Sequence, residues 1–158
     1  KLDWVDMNEL IHGIVHQFAD VKTHEIVFYE SVEDLPLYKT DGRIIEQILY
    51  NLIQNALSYT PENSRVTIEI DHEADNLYIE IADNGKGFPD DSISHVFDKF
   101  YRLPHTKTNG VGLGLSIVKG YTEALNGSIF LENKIEGGAR FTLDIPAEKT
   151  FINKLNHE

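Results

Sequence analysis

RIIEQILYNLIQNALS, residues 43–58, is the stretch on which the fold turns. Ile44, Ile45, Ile48, Leu49, Leu52, Ile53, Ala56 and Leu57 recur at helical spacing. Thr60-Pro61 stops the pattern, because the residue before a proline is driven out of the helical region. Downstream, Val66, Ile68 and Ile70 alternate with polar residues, as do Leu77, Ile79 and Ile81, and Ala74 to Asn76 read as the turn of a hairpin between them. Upstream, Leu2 to Val5 reads as a short strand. Asp6 is placed to cap a helix carrying Leu10, Ile14, Val15 and Phe18 and ending near Asp20, while Ile26–Tyr29 and Leu37–Lys39 read as strands before the Asp41-Gly42 turn. Helical spacing resumes from Leu113 to Leu125, Asn126-Gly127 is a helix stop, and strands at Ser128–Glu132 and Ala139–Ile145 flank a Glu136-Gly137-Gly138 turn. Between Asn84 and Gly110 no period is sustained. Five of the 11 glycines (Gly85, Gly87, Gly110, Gly112, Gly114) lie in or beside that stretch, so it reads as a lid or binding loop. The order β-α-β-β-α-β-β-lid-α-β-β predicts an α+β two-layer sandwich: a mixed, mostly antiparallel sheet covered on one face by three helices. Residues 1–147 are expected to be one domain with a lid at 84–110, and residues 148–158 a tail, read as a frayed helix.

Composition narrows the function. At 158 residues, 41% hydrophobic and 25% charged, the chain has the make-up of an ordinary globular domain. A net charge of −12 argues against nucleic acid or an anionic membrane as partner, since both require a basic footprint. No apolar run approaches the ~20 residues a bilayer needs. The absence of cysteine excludes disulfides and thiolate metal sites. Starting at Lys1 without a leader-like stretch, the chain is expected to be a piece of a longer protein whose addressing lies elsewhere. In so acidic a protein a phosphate ligand would need backbone amides, a few placed cations or a divalent metal.

Four segments carry chemistry. Asn51 and Asn55 are four residues apart, so both carboxamides occupy one helix face, and an amide oxygen is a hard neutral ligand suited to Mg2+. Taken alone, the pair is better explained as a solvated polar stripe. Asp83-Asn84-Gly85-Lys86-Gly87 stands where a strand meets the long loop. It is either a simple turn or a buried carboxylate that accepts from a base amino group while Gly85 and Gly87 let backbone approach the ring. Gly110-Val111-Gly112-Leu113-Gly114-Leu115-Ser116 precedes a helix, where freed amides and the helix dipole favour an anion; a glycine-rich hinge is the other reading. Phe97-Asp98-Lys99-Phe100-Tyr101-Arg102 sets Lys99 and Arg102 among aromatics, as phosphate partners or beside rings that anchor the loop.

In order and content these segments resemble the N, G1, F and G2 boxes of bacterial sensor histidine kinases, over nearly all of Leu2 to Pro146. The resemblance implies the Bergerat ATP-binding fold with ATP and Mg2+ as ligands. By that likeness Asn55 would hold the metal, Asn51 would contact phosphate or the metal shell, Asp83 would take the adenine amino group, and Tyr59 would flank the ring. Arg102 would neutralise phosphate. Ser58, Gly85, Gly87, Lys99, Gly110, Gly112, Leu113, Gly114, Leu115 and Thr142 complete the implied nucleotide-binding set. Many members carry lysine where this chain has Ser58, which throws more weight on Arg102 or Lys99. Gly112 to Lys119, taken with Asn133 to Phe141, looks most like the Kdp-type potassium sensors.

The family's phosphoacceptor histidine stands on a separate helical hairpin, before an acidic residue and, a few positions on, a proline. None of His12, His16, His24, His72, His95, His105 and His157 meets that pattern, and all seven read as ordinary surface or loop residues. The implied partners are therefore that hairpin on a homodimeric parent, and through the parent a response regulator. The implied place is the cytoplasmic side of an inner-membrane-anchored sensor. Hydrolases of the same architecture have a glutamate base where Asn51 stands, and an amide cannot take that proton. An anti-sigma-type serine kinase and a degenerate nucleotide-binding or docking module are the remaining alternatives. Phe100 and Tyr101 are expected to be exposed and to dock on the hairpin.

Overall fold

The computed structural model describes residues 1–101 and 114–151. Three helices form where the apolar spacing predicts them: α1 (Met7–Gln17), α2 (Gly42–Tyr59) and α3 (Leu115–Ala124). Asp6 caps α1 by accepting from the Glu9 amide at 3.2 Å, and Asp41 caps α2 by accepting from the Arg43 and Ile44 amides at 3.1 and 3.3 Å. Each carboxylate satisfies donors the helix cannot and sits at the positive end of its dipole.

The strands are β1 (Asp3–Val5), β2 (Glu25–Tyr29), β3 (Leu37–Thr40), β4 (Arg65–Glu73), β5 (Asn76–Asp83), β6 (Ser128–Asn133), β7 (Ala139–Pro146) and β8 (Glu148–Thr150). The main sheet runs β2-β4-β5-β7-β6; β2 pairs parallel with β4 and every other pairing is antiparallel. Its inward positions are Val66, Ile68 and Ile70 on β4, Leu77, Ile79 and Ile81 on β5, and Ala139, Phe141, Leu143 and Ile145 on β7. They pack against Met7, Ile11 and Ile14 of α1, six buried residues of α2, and Leu115 and Val118 of α3. One apolar face covered by three amphipathic helices is the two-layer architecture that the patterning requires.

Two expectations are corrected. The strands do not share a single sheet, because β1, β3 and β8 form a separate three-stranded one. Residues 148–150, read as the start of a frayed-helix tail, are β8, paired with β3 in the register Leu37↔Thr150 to Lys39↔Glu148. The partner edge, and no local propensity, makes that strand.

Candidate functional site

The inward positions of β5 are apolar until the last, Asp83. Period-2 alternation therefore drives a carboxylate into the end of the core, where it is 4% exposed. Its Oδ1 accepts from the Gly85 amide at 2.9 Å and from the Ala139 amide at 3.3 Å. No described residue donates to Oδ2. Burial raises the Asp83 pKa above the ordinary carboxylate value, against the opposing pull of those two amides and of the Lys134 ammonium. The result is an oriented acceptor with one oxygen committed to backbone and one free of any described donor.

Backbone crowds this carboxylate. A Cβ on Gly85 would lie 2.8 Å from Thr60 Cγ2, and one on Gly138, whose φ is +91°, would lie 2.0 Å from the Asp83 carbonyl oxygen. Only glycine admits both approaches. Gly87 follows on the same turn. Next to it, Asn133 clasps the Phe88 backbone: Oδ1 accepts from the amide at 2.8 Å and Nδ2 donates to the carbonyl at 2.7 Å.

The C-terminal end of α2 closes the other side. The Tyr59 ring is 4.8 Å from Phe88, which stands edge-on to Phe141 at 6.0 Å. The Tyr59 hydroxyl is buried without a partner among the described residues, and its pKa is raised well above the usual phenol value, by burial first and by the Asp83 charge second. On the same helix Asn51 donates from Nδ2 to the Gln47 carbonyl at 2.9 Å, whereas the half-buried Asn55 amide bonds to no described residue. Ser58 is exposed and donates back to the Gln54 carbonyl at 3.0 Å. Among the described residues no three His, Cys, Asp or Glu side chains group as a metal site, so a cation here would rely on amide oxygen and on its own ligand.

The structure thus brings Tyr59, Asp83, Gly85 and Gly87 together and sets Asn51, Asn55 and Ser58 along the same helix. Gly114 is the N-cap of α3 at φ +72° with no side-chain cap bond, and Leu115 is buried behind it. Lys99 is exposed. Arg102, Gly110, Gly112 and Leu113 lie outside the described residues, as do His105 and His157.

Four expectations change. Thr142 does not join the site: with Phe141 and Leu143 facing the core it points to the opposite face of the sheet, level with Glu80 and Phe130. The first half of the expected lid is anchored, since Phe88, Ser92 and Val96 are buried and Phe97 meets Phe141 at 6.2 Å. Tyr101 is half-buried, its hydroxyl donating to Ser92 Oγ at 2.7 Å, so only Phe100, 72% exposed, remains of the proposed docking pair. His24 is no ordinary surface histidine, for it is bonded at both ring nitrogens. Sequence reasoning missed the Ala139 amide, Thr60, Gly138 and Asn133. The Gly137-Gly138 turn was visible, but its position against Asp83 is a long-range contact with no local signature.

No helix among the described residues is long and apolar enough to cross a membrane. The sequence family described as histidine kinase-, DNA gyrase B- and HSP90-like ATPases matches residues 40–149. The chain is 36% identical to the sensor histidine kinase WalK of Bacillus subtilis over 151 residues, 91% of this chain and 24% of WalK. It is 32% identical to the sensor protein KdpD of Escherichia coli over 149 residues, 94% of this chain and 17% of KdpD. Among solved structures, a nucleotide-free catalytic domain of the histidine kinase ThkA superposes with a TM-score of 0.81 at 30% identity, over 92% of this chain and 95% of that one. ThkA has also been solved in complex with the response regulator protein TrrA, and there the TM-score is 0.77 at 27% identity, over 93% of this chain and 42% of that one. The chain therefore spans a quarter or less of the lengths of WalK and KdpD.

Proposed function

The chain belongs to the histidine kinase-, DNA gyrase B- and HSP90-like ATPases, in the form found as the ATP-binding catalytic domain of sensor histidine kinases, and from that premise we propose how its residues divide the work. Asp83 accepts the exocyclic amino group of adenine through Oδ2, and Tyr59 flanks the base. Asn55 would supply an amide oxygen to Mg2+ carried in with the triphosphate, and Asn51 would contact phosphate or the metal shell. Lys99 and Arg102 neutralise phosphate charge. The observation that carries this division is the buried Asp83 with one oxygen fixed by two backbone amides, beside a helix whose Asn55 amide bonds to no described residue. Mg2+, when bound, would draw charge from the phosphate oxygens and lower the barrier to breaking the β-γ bridge.

The domain's own contribution to transfer is position and charge: it presents the γ-phosphorus for in-line attack by an imidazole nitrogen, the bond to the β-phosphate oxygen breaks, and ADP leaves. That imidazole belongs to a helical hairpin elsewhere in a longer, homodimeric parent anchored in the inner membrane, which passes the phosphoryl group to a response regulator. The complex of ThkA with TrrA supports that partner. Phe100, exposed at φ +63°, is the residue offered to the hairpin. Transfer is favoured over hydrolysis because position 51 is an amide whose Nδ2 is engaged with Gln47 and which cannot take a proton from water.

The test is phosphotransfer from γ-labelled ATP to an added hairpin fragment of a sensor kinase at millimolar magnesium. Label on the hairpin histidine is expected, with Phe100→Ala losing transfer and keeping ATP binding. Steady phosphate release without any acceptor would support a hydrolase, and nucleotide binding with no transfer to any hairpin would support a docking module.

A further inference from the structure

His24 lies one residue before β2, and neither its position nor its neighbours in sequence connect it to the nucleotide. Its ring is nonetheless held at both nitrogens: Nδ1 is 2.9 Å from Thr23 Oγ1, and Nε2 is 2.9 Å from Thr60 Oγ1 and 3.3 Å from the Thr60 carbonyl oxygen. The proton positions follow from hydroxyl arithmetic. Thr60 Oγ1 has a single proton and donates it to the Ala56 carbonyl at 2.6 Å, so it can only accept from the histidine. His24 therefore carries its proton on Nε2, and Nδ1 accepts from the Thr23 hydroxyl.

Thr60 is the residue that links this bond to the base pocket. It is the C-cap of α2, it directly follows Tyr59, and it is buried. With Oγ1 fixed between His24 and Ala56, the side chain has one rotamer, and its Cγ2 methyl is held where Gly85 packs; a Cβ on Gly85 would sit 2.8 Å from it. Gly85 in turn donates its amide to Asp83 Oδ1 at 2.9 Å, one of the two bonds that aim the carboxylate. The segment around His24 is fastened to the same corner by backbone as well, the Asn63 amide donating to the Thr23 carbonyl at 2.6 Å and the Glu25 amide to the Ser64 carbonyl at 3.1 Å.

We infer that His24 is a positioning residue for base recognition: through the Thr60 methyl and Gly85 it sets the orientation in which Asp83 meets the 6-amino group. The inference rests on Asp83 being the adenine acceptor. It sets His24 apart from a histidine that merely staples the end of α2, because misplacing Asp83 weakens only ligands that bear the amino group. A nucleotide with a 6-oxo group in its place, ITP, shares the sugar, triphosphate and metal contacts and reports general loosening of the pocket.

The experiment is calorimetric titration of wild type, His24→Ala, His24→Gln and Thr60→Ser with Mg-ATP and Mg-ITP. In His24→Ala and in Thr60→Ser, which keeps the hydroxyl and loses the methyl, the preference for ATP over ITP is expected to fall about fivefold, the weight of one ordinary hydrogen bond, with ITP affinity unchanged. His24→Gln, whose amide nitrogen can reproduce the Nε2–H donor, is expected to restore most of the preference. An unchanged preference, or ATP and ITP weakened in parallel, would overturn the inference; should His24→Ala not fold, Thr60→Ser decides it. Equal affinity of the wild type for the two nucleotides would remove Asp83 as the adenine acceptor, and the inference with it.

Discussion

The two ends of the candidate site are built by different means. At the base end Asp83 Oδ2 and the Tyr59 hydroxyl bond to no described residue, but the atoms around them are committed: Asp83 Oδ1 takes two amides, Asn133 clasps Phe88, and Asn84 joins the strand ends by accepting from the Arg65 amide at 2.7 Å. At the phosphate end, among the described residues, the Asn55 amide bonds to none, Asn51 and Ser58 bond only to carbonyls of their own helix, and Lys99 is exposed. On the proposed assignment, base recognition would be fixed when the chain folds, whereas the phosphate side would be completed by what binds there. Rigid support around the specificity-determining group and looseness around the group that must change charge is a sound division for an enzyme.

The largest expected difference is in tolerance of a methyl group. Gly138→Ala should cost about 3 kcal/mol or more, since its Cβ would meet the Asp83 carbonyl oxygen at 2.0 Å and its φ is +91°. Gly114→Ala, at φ +72° with nothing within 4 Å, should cost only about 1–2 kcal/mol of left-handed strain. Urea titrations of both variants check this, and equal costs would erase the contrast. Asn55→Ala should leave stability within about 0.5 kcal/mol yet weaken magnesium-dependent transfer about a hundredfold, measured by phosphotransfer kinetics.

Asp83→Asn should do the reverse, raising stability by about 1 kcal/mol while removing adenine recognition. The sign follows from burial: the folded-state pKa of Asp83 is raised, so its ionised form opposes folding at neutral pH. That opposition is relieved as pH falls through the raised folded pKa toward the ordinary carboxylate value. Thermal melts across that window should show the advantage of Asp83→Asn shrinking, with ATP affinity of the wild type falling in step. The smallest effect is expected for Ser58→Lys, which adds a cation at an exposed position and should tighten ATP binding roughly threefold at low salt and less at high salt.

Much of this was legible from residue order. The helix over residues 43–58, the β4–β5 hairpin and the spacing of the asparagines, Asp83 and the glycines all follow from local periodicity. Thr142 was legible too, since Phe141 and Leu143 must face inward and therefore turn it out. The remainder depended on distant partners. β8 exists because β3 offers an edge, Gly138 matters because Asp83 lies against it, and His24 acts across 36 residues of chain. Kdp-like residues near Gly112 and Phe141 do not separate KdpD from WalK, since two KdpD proteins are 37% and 32% identical to this chain and WalK is 36% identical.

The central claim is that one buried carboxylate reads the purine. It is tested most directly by titrating wild type and Asp83→Asn with Mg-ATP and Mg-ITP. A preference of about tenfold or more for ATP in the wild type, lost in Asp83→Asn with affinity for ITP retained, is the predicted result. A wild type that binds the two alike, or a variant that keeps the preference, would contradict it.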